Sequence, residues 1–311
     1  MIARDATAAA VGSGLRSGKR DWSGRLFAGA LLGSLLAALV ILVALLWEVV
    51  AKGMPVLTER GVDFLAAGPS SLPAEAGIGA ALAGSFVMII IVTVVAFPIG
   101  IGAAVYLEEY ARDTWLTRAI ATNVRNLAGV PSIVYGILGL VLFVEALNRV
   151  VDIRDLGSLL SGGLTLSVLV LPIVIITTSE ALRSVPRSLR EAAFGVGATR
   201  WETIRYHVLP AAAPGILTGT VLSLARAFGE TAPLLLVGVS TGFFSTGGAD
   251  TIERLLRSPY SAVPMQILNW SLFPNPAFKS LAAAGIVVMM TILLLVNGVA
   301  IWLRNRYERA W

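Results

Sequence analysis

Six long apolar runs alternate with polar segments along this chain. At 1.5 Å per residue a helix of about 20 residues crosses a hydrocarbon core of roughly 30 Å. The runs predict helical spans near 26–50, 80–107, 127–147, 158–179, 215–239 and 280–303. The polar segments carry their own signals. Trp115, Leu116, Ala119 and Ile120 predict an amphipathic connecting helix. Residues 51–79 hold Pro55, Pro69 and Pro73 and read as a loop, with a short surface helix near Val56 to Leu65. In 240–279, Ile252 to Leu256 and Val263 to Trp270 predict short helices on or dipping into the membrane.

The richest polar segment is Arg187 to Pro214, RSLREAAFGVGATRWETIRYHVLPAAAP. Pro186 suits a first helical turn, and Ser188 with Glu191 offers a competing capping box. Gly195 and Gly197 can stop that helix, and Thr199 with Glu202 can start a second. Trp201, Ile204 and Val208 then share one helical face, and Leu209-Pro210 closes the unit. A helix–glycine–helix knob between membrane spans suits docking to a soluble partner; an ordinary amphipathic loop would show the same helix pattern.

Composition sharpens the class. The 311 residues are 56% hydrophobic and 14% charged, where soluble domains are nearer a quarter charged. The chain is therefore read as an all-α integral membrane protein. With no Cys and one His, His207, thiolate and His-cluster metal sites are excluded. The net charge of +5 fits basic loops and needs no nucleic acid. Of the 24 Lys and Arg, sixteen fall on one side if both termini are cytoplasmic, seven on the other, and Arg226 lies within a span. That bias predicts cytoplasmic termini and places 187–214 in the cytoplasm. Residues 1–25, with Arg4, Arg16, Lys19, Arg20 and Arg25, read as a disordered basic tail ahead of a permease domain over 26–311. Gly12 to Arg20 is not a phosphate-binding loop: its spacing is wrong, and Arg20 stands where Ser or Thr is needed. Nucleotide hydrolysis is expected on another chain.

Arg226 and Glu230 are four residues apart in the fifth run, on one helix face. A cation at that depth costs roughly 2.5–3.5 kcal/mol and usually faces the protein interior or a wet path. A guanidinium presents paired donors that match an oxyanion. A structural ion pair that fixes helix packing is the plain alternative.

Two levels of resemblance follow. Glu191, Ala192 and Ala193, then Gly197, then Leu209-Pro210, resemble the EAA loop of ABC importer permeases of the type I fold. The resemblance implies that these residues couple to an ATPase, with ATP and Mg on that partner and no cofactor in this chain. More narrowly, Ala225 to Leu234 (ARAFGETAPL), Leu127 to Gly136 (LAGVPSIVYG) and Tyr106 to Tyr110 (YLEEY) look like the phosphate permeases of the PstA type. That family implies a bacterial inner-membrane permease for inorganic phosphate. Its partners would be a homologous PstC-type permease, two PstB-type ATPases and an extracytoplasmic PstS-type binding protein. Arg226, Glu230 and Thr231 would then line or gate the path. Molybdate, sulfate or phosphonate import, and ion-coupled secondary transport, stand as alternatives at this stage.

Overall fold

The structure is a computed structural model that describes residues 22–146, 158–238 and 261–307. Every regular element in them is helical. The chain separates into two units, residues 1–51 and 52–311. The described part of the first is an apolar helix whose Leu31, Leu35, Leu39 and Val43 are exposed. Most of the proposed tail, and the Ile252 to Leu256 helix, lie outside the described residues; Trp22 to Arg25 are helical rather than part of a tail.

Helix α1 runs Trp22–Ala66 with a kink at Gly61, so the expected loop after residue 50 begins in helix. Arg60 pins the following turn: its Nη1 donates to the carbonyls of Pro73 (3.1 Å) and Ala76 (2.8 Å). Helix α2 is Gly79–Val105, extended by a wider π turn, Tyr106–Tyr110. Helix α3 (Trp115–Ala128) is the amphipathic connection, capped by Thr114, whose Oγ1 accepts from the Thr117 N–H.

The third apolar run departs from a straight span. Leu127 and Ala128 end α3; the chain turns at Gly129 to Pro131, and α4 (Ser132–Gly139) continues as a π segment to Ala146. The bend is 103°. Pro131 has no N–H to donate and pushes the residue before it out of the helical region, so one helix cannot run through. Tyr135 stabilises the corner, its hydroxyl donating to the Leu127 carbonyl at 2.8 Å.

Helix α5 (Leu159–Ser184) is the most enclosed span and packs against α2 and the helix over Leu209–Gly229. The 187–214 segment holds α6 (Arg187–Gly195) and α7 (Arg200–Thr203). A π turn, Ile204–Val208, then feeds directly into α8 (Leu209–Gly229). The fifth run is therefore not one helix over 215–239. It breaks at Glu230 and Thr231, and α9 (Ala232–Val237) follows. Pro233 explains the break, since its ring would clash with the carbonyl four residues back and its nitrogen cannot donate. Helix α10 is Val263–Leu272, and α11 is Pro276–Tyr307. Among the described residues, five helices are long and apolar enough to cross a membrane, and the bent pair α3–α4 makes a sixth if it counts as one span.

Among the described residues, three apolar clusters pack in the second unit. Phe64, Ile78, Trp270, Phe278 and Leu281 pack at one end. Met88, Val92, Tyr135, Leu166, Val170 and Met265 fill the middle. Ala104, Leu182, Val208 and Ile216 join α2, α5 and α8 beside the polar loop.

Candidate functional site

The polar loop owes its shape to local sequence. Helix α6 starts at Arg187 with Pro186 as its N-cap, so Ser188 is not a cap. It ends with Gly197 at φ +87°, where the Gly197 N–H donates to Phe194 and the Ala198 N–H to Ala193. That pair of bonds is a Schellman closure, which requires a left-handed residue after the helix. Gly197 has open space around it, so its backbone angle, not crowding, calls for glycine. The next helix opens with a complete capping box: Glu202 N–H donates to Thr199 Oγ1 (3.3 Å), and Thr199 N–H to Glu202 Oε2 (2.8 Å).

Within α6, Glu191 and Ala192 face outward and Ala193 is buried. Phe194, Val196, Trp201 and Tyr206 expose apolar surface on the same loop. Trp201 thus does not share the inner face with Ile204 and Val208, which are buried; Thr203 takes that place. Leu209-Pro210 does not close the unit either. Leu209 N–H donates to the Ile204 carbonyl, a bond spanning five residues, and the wider turn admits Pro210 without ending the helix. Residues 200–229 form one rod, 30 residues long. At 1.5 Å per residue it spans about 45 Å, joining the loop at one end to Arg226 at the other.

The loop is tied down by a neighbour that pattern reading missed. Glu108 and Glu109 end α2. Arg183 Nε donates to Glu108 Oε2 at 2.8 Å, and Arg190 Nε and Nη2 donate to the carboxylate of Glu109. Arg200 lies over the Tyr110 ring, 5.2 Å from its centroid. A cavity of about 610 Å³ opens beside this contact, lined in part by Glu108, Arg187, Arg190, Glu191 and Arg200. Glu109 and Arg190 are 81 residues apart, so no spacing rule joins them.

At the far end of the rod, Arg226 lies in the last turn of α8 rather than in mid-helix. Its Nε is 3.3 Å from Glu230 Oε1; the Arg226 side chain is 46% exposed and that of Glu230 16%. The carbonyl end of a helix favours a cation there. Glu230 is already extended (ψ 129°), and Thr231 occupies the N-cap position of α9 without a side-chain capping bond. The two remote motifs meet here: a Cβ on Gly136 would sit 2.7 Å from Pro233 Cα, so only glycine lets α4 approach α9 this closely. The structure thus brings Arg226, Glu230 and Thr231 to one helix break and Glu191 to Gly197 to one loop, while Leu209 and Pro210 lie in the rod that leaves that loop.

The family described as "binding-protein-dependent transport system inner membrane component" matches residues 96–309. The chain belongs to this family. It is 35% identical over 266 residues to the phosphate transport system permease protein PstA of Yersinia pestis, covering 86% of this chain and 84% of that one. PstA of Mycobacterium leprae is 40% identical over 218 residues, 67% of this chain and 66% of that one. The permease is of the PstA type. The fold agrees with solved importers: a bacterial alginate ABC transporter chain superposes with TM-score 0.63 at 16% identity, over 94% of this chain and 100% of that one. A chain of the MetNI methionine ABC transporter, in an inward-facing conformation, gives 0.53 at 20% identity, over 75% and 95%. The protein is therefore a multi-pass inner-membrane transport subunit and not an enzyme. The family works in general with a binding protein, a companion permease and an ATPase.

Proposed function

We propose that this permease forms half of the translocation path of an ATP-driven importer for inorganic phosphate. A PstC-type permease supplies the other half. Two PstB-type ATPases carry ATP and Mg and dock on Glu191, Ala192, Ala193, Gly197 and the rod through Leu209 and Pro210. A PstS-type protein delivers phosphate from outside, and both termini are cytoplasmic.

The observation that carries this reading is the position of Arg226. Its guanidinium is only half covered by its own chain, at a break between two helices. A cation on such a face is costly against lipid. Covered by a second permease and water, it becomes an anion site, with donors to spare beyond the contact to Glu230. Glu230 holds the guanidinium in the empty state, and Thr231 offers a hydroxyl beside it. The PstA names of the relatives favour phosphate as the anion. ATPase closure pushes on the loop, and the rod passes that displacement to the Arg226 end.

The test is radiolabelled phosphate uptake into vesicles holding the assembled complex. Arg226→Gln is expected to lower uptake by about tenfold or more, the weight of one well-placed charged contact. Glu230→Gln is expected to lower it less. Wild-type uptake from both variants would remove the pair from the path, and stronger competition by molybdate or sulfate than by unlabelled phosphate would overturn the cargo.

A further inference from the structure

Three consecutive residues at the end of α2 each hold an arginine from a different segment. Glu108 takes Arg183 at the end of α5, Glu109 takes Arg190 in α6, and Tyr110 takes Arg200 at the start of α7. The middle contact is the tightest. Glu109 is 8% exposed. Arg190 Nε lies 3.2 and 3.3 Å from its two carboxylate oxygens, and Nη2 lies 2.5 Å from Oε1. The same guanidinium turns its remaining donors to main chain: Nη1 donates to the Val185 carbonyl (2.9 Å) and Nη2 to the Leu182 carbonyl (3.0 Å). Both carbonyls lie at the end of α5: Leu182 O also accepts the Val185 N–H at 3.3 Å, and the Val185 carbonyl belongs to the C-cap residue just past the last helical turn. One side chain thus bonds the end of α2, the end of α5 and its own helix α6.

We infer that Arg190 is a positioning residue for coupling: with Glu109 it fuses α6 to the ends of α2 and α5, so a push on the loop moves three elements as one body. The inference rests on the importer reading given above. Arg183 and Arg200 brace the same joint from either side, but each meets only one residue of the clasp. Without the fork of Arg190, α6 can tilt on its two linkers, at Val185–Pro186 and Gly197–Ala198. An ATPase stroke is then absorbed by the loop instead of reaching α2 and α5. The planar fork is essential, because a lysine ammonium is a point charge that cannot reach a carboxylate and two carbonyls in the same geometry.

The experiment uses the full transporter in vesicles with Arg190→Lys and Glu109→Gln, both of which keep a polar partner in place. Two rates are read per assembled complex: phosphate uptake, and ATP hydrolysis stimulated by the loaded binding protein. Hydrolysis is expected to stay within about twofold of wild type while phosphate moved per ATP falls about tenfold, the scale on which linking residues tune coupling. Equal loss of both rates, or no loss of either, would mean that the pair only holds the fold. A second reading does not depend on cargo. The chain has no Cys, so spin labels on Ser188→Cys and Arg112→Cys report the distance from α6 to the segment after α2. One narrow distribution is expected in the native pair, with and without ATP, and a broad one once Arg190→Lys is added. An unchanged distribution overturns the joint. If the wild-type complex takes up no phosphate, the cargo assignment falls, and the label distances still decide the joint.

Discussion

Two arginine–glutamate pairs, one beside the polar loop and one at the break between α8 and α9, are built differently. Arg190 is engaged through all three nitrogens, which meet both oxygens of Glu109 and two carbonyls at the end of α5. Arg226 is not: among the described residues its ion-pair partner is Glu230 through Nε alone, and its side chain is 46% exposed. A guanidinium has five N–H donors. One whose nitrogens are all engaged fixes structure; one engaged through a single nitrogen keeps donors for the anion we propose it meets. Charge and residue type are the same in both places, and what differs is how many of the guanidinium nitrogens are engaged.

The comparison breaks or sharpens on four substitutions, ordered by expected loss of stability. Arg190→Ala leaves Glu109 charged, buried and unpaired, and should cost about 3–5 kcal/mol. Thermal unfolding of the purified complex would register it as a markedly lower Tm, and an unchanged Tm would show the joint to be weak. Gly136→Ala forces a Cβ toward the Pro233 backbone, at about 1–3 kcal/mol, because α4 and α9 must part. Since that contact seats the helix break beside Arg226, uptake should fall with stability. Gly197→Ala meets no neighbour but must adopt φ +87°, at about 1–2 kcal/mol. Its mark should be a loss of ATPase stimulation greater than the loss of assembled complex, with Gly197→Asn milder because asparagine tolerates that angle better. Arg226→Gln should change stability by less than about 1 kcal/mol, as for other partly exposed ion pairs, while cutting uptake severely. Should Arg226→Gln prove the more destabilising of the two arginine changes, Arg226 and not Arg190 would be the structural member of the two.

Much of the loop was legible from sequence. The Thr199–Glu202 box and the Gly197 stop act through bonds three to five residues long, so their chemistry is written in adjacent letters. The apolar runs were legible for a related reason, since lipid leaves the backbone no partner but its own helix. Legibility failed where a proline inside an apolar run had two outcomes. Pro98 and Pro172 lie within continuous helices, whereas Pro131 and Pro233 sit at breaks. Local sequence does not separate these cases, because what decides is whether neighbours such as Tyr135 and Gly136 reward the bend. Trp201 is exposed for the same reason: its spacing marks a helical face but not which face the rest of the chain covers.

By itself, then, the sequence determined the elements of class and of local form: an all-helical membrane chain, its capped loop, and the motif strings that mark an importer permease. Tertiary structure alone decided that Glu109 meets Arg190, that α4 docks on α9, and that Arg226 ends a rod instead of lying in mid-span. The physical reason is range. Helix caps and hydrophobic runs are settled within a few residues, whereas a guanidinium's partners come from whichever distant segments the packing brings to it.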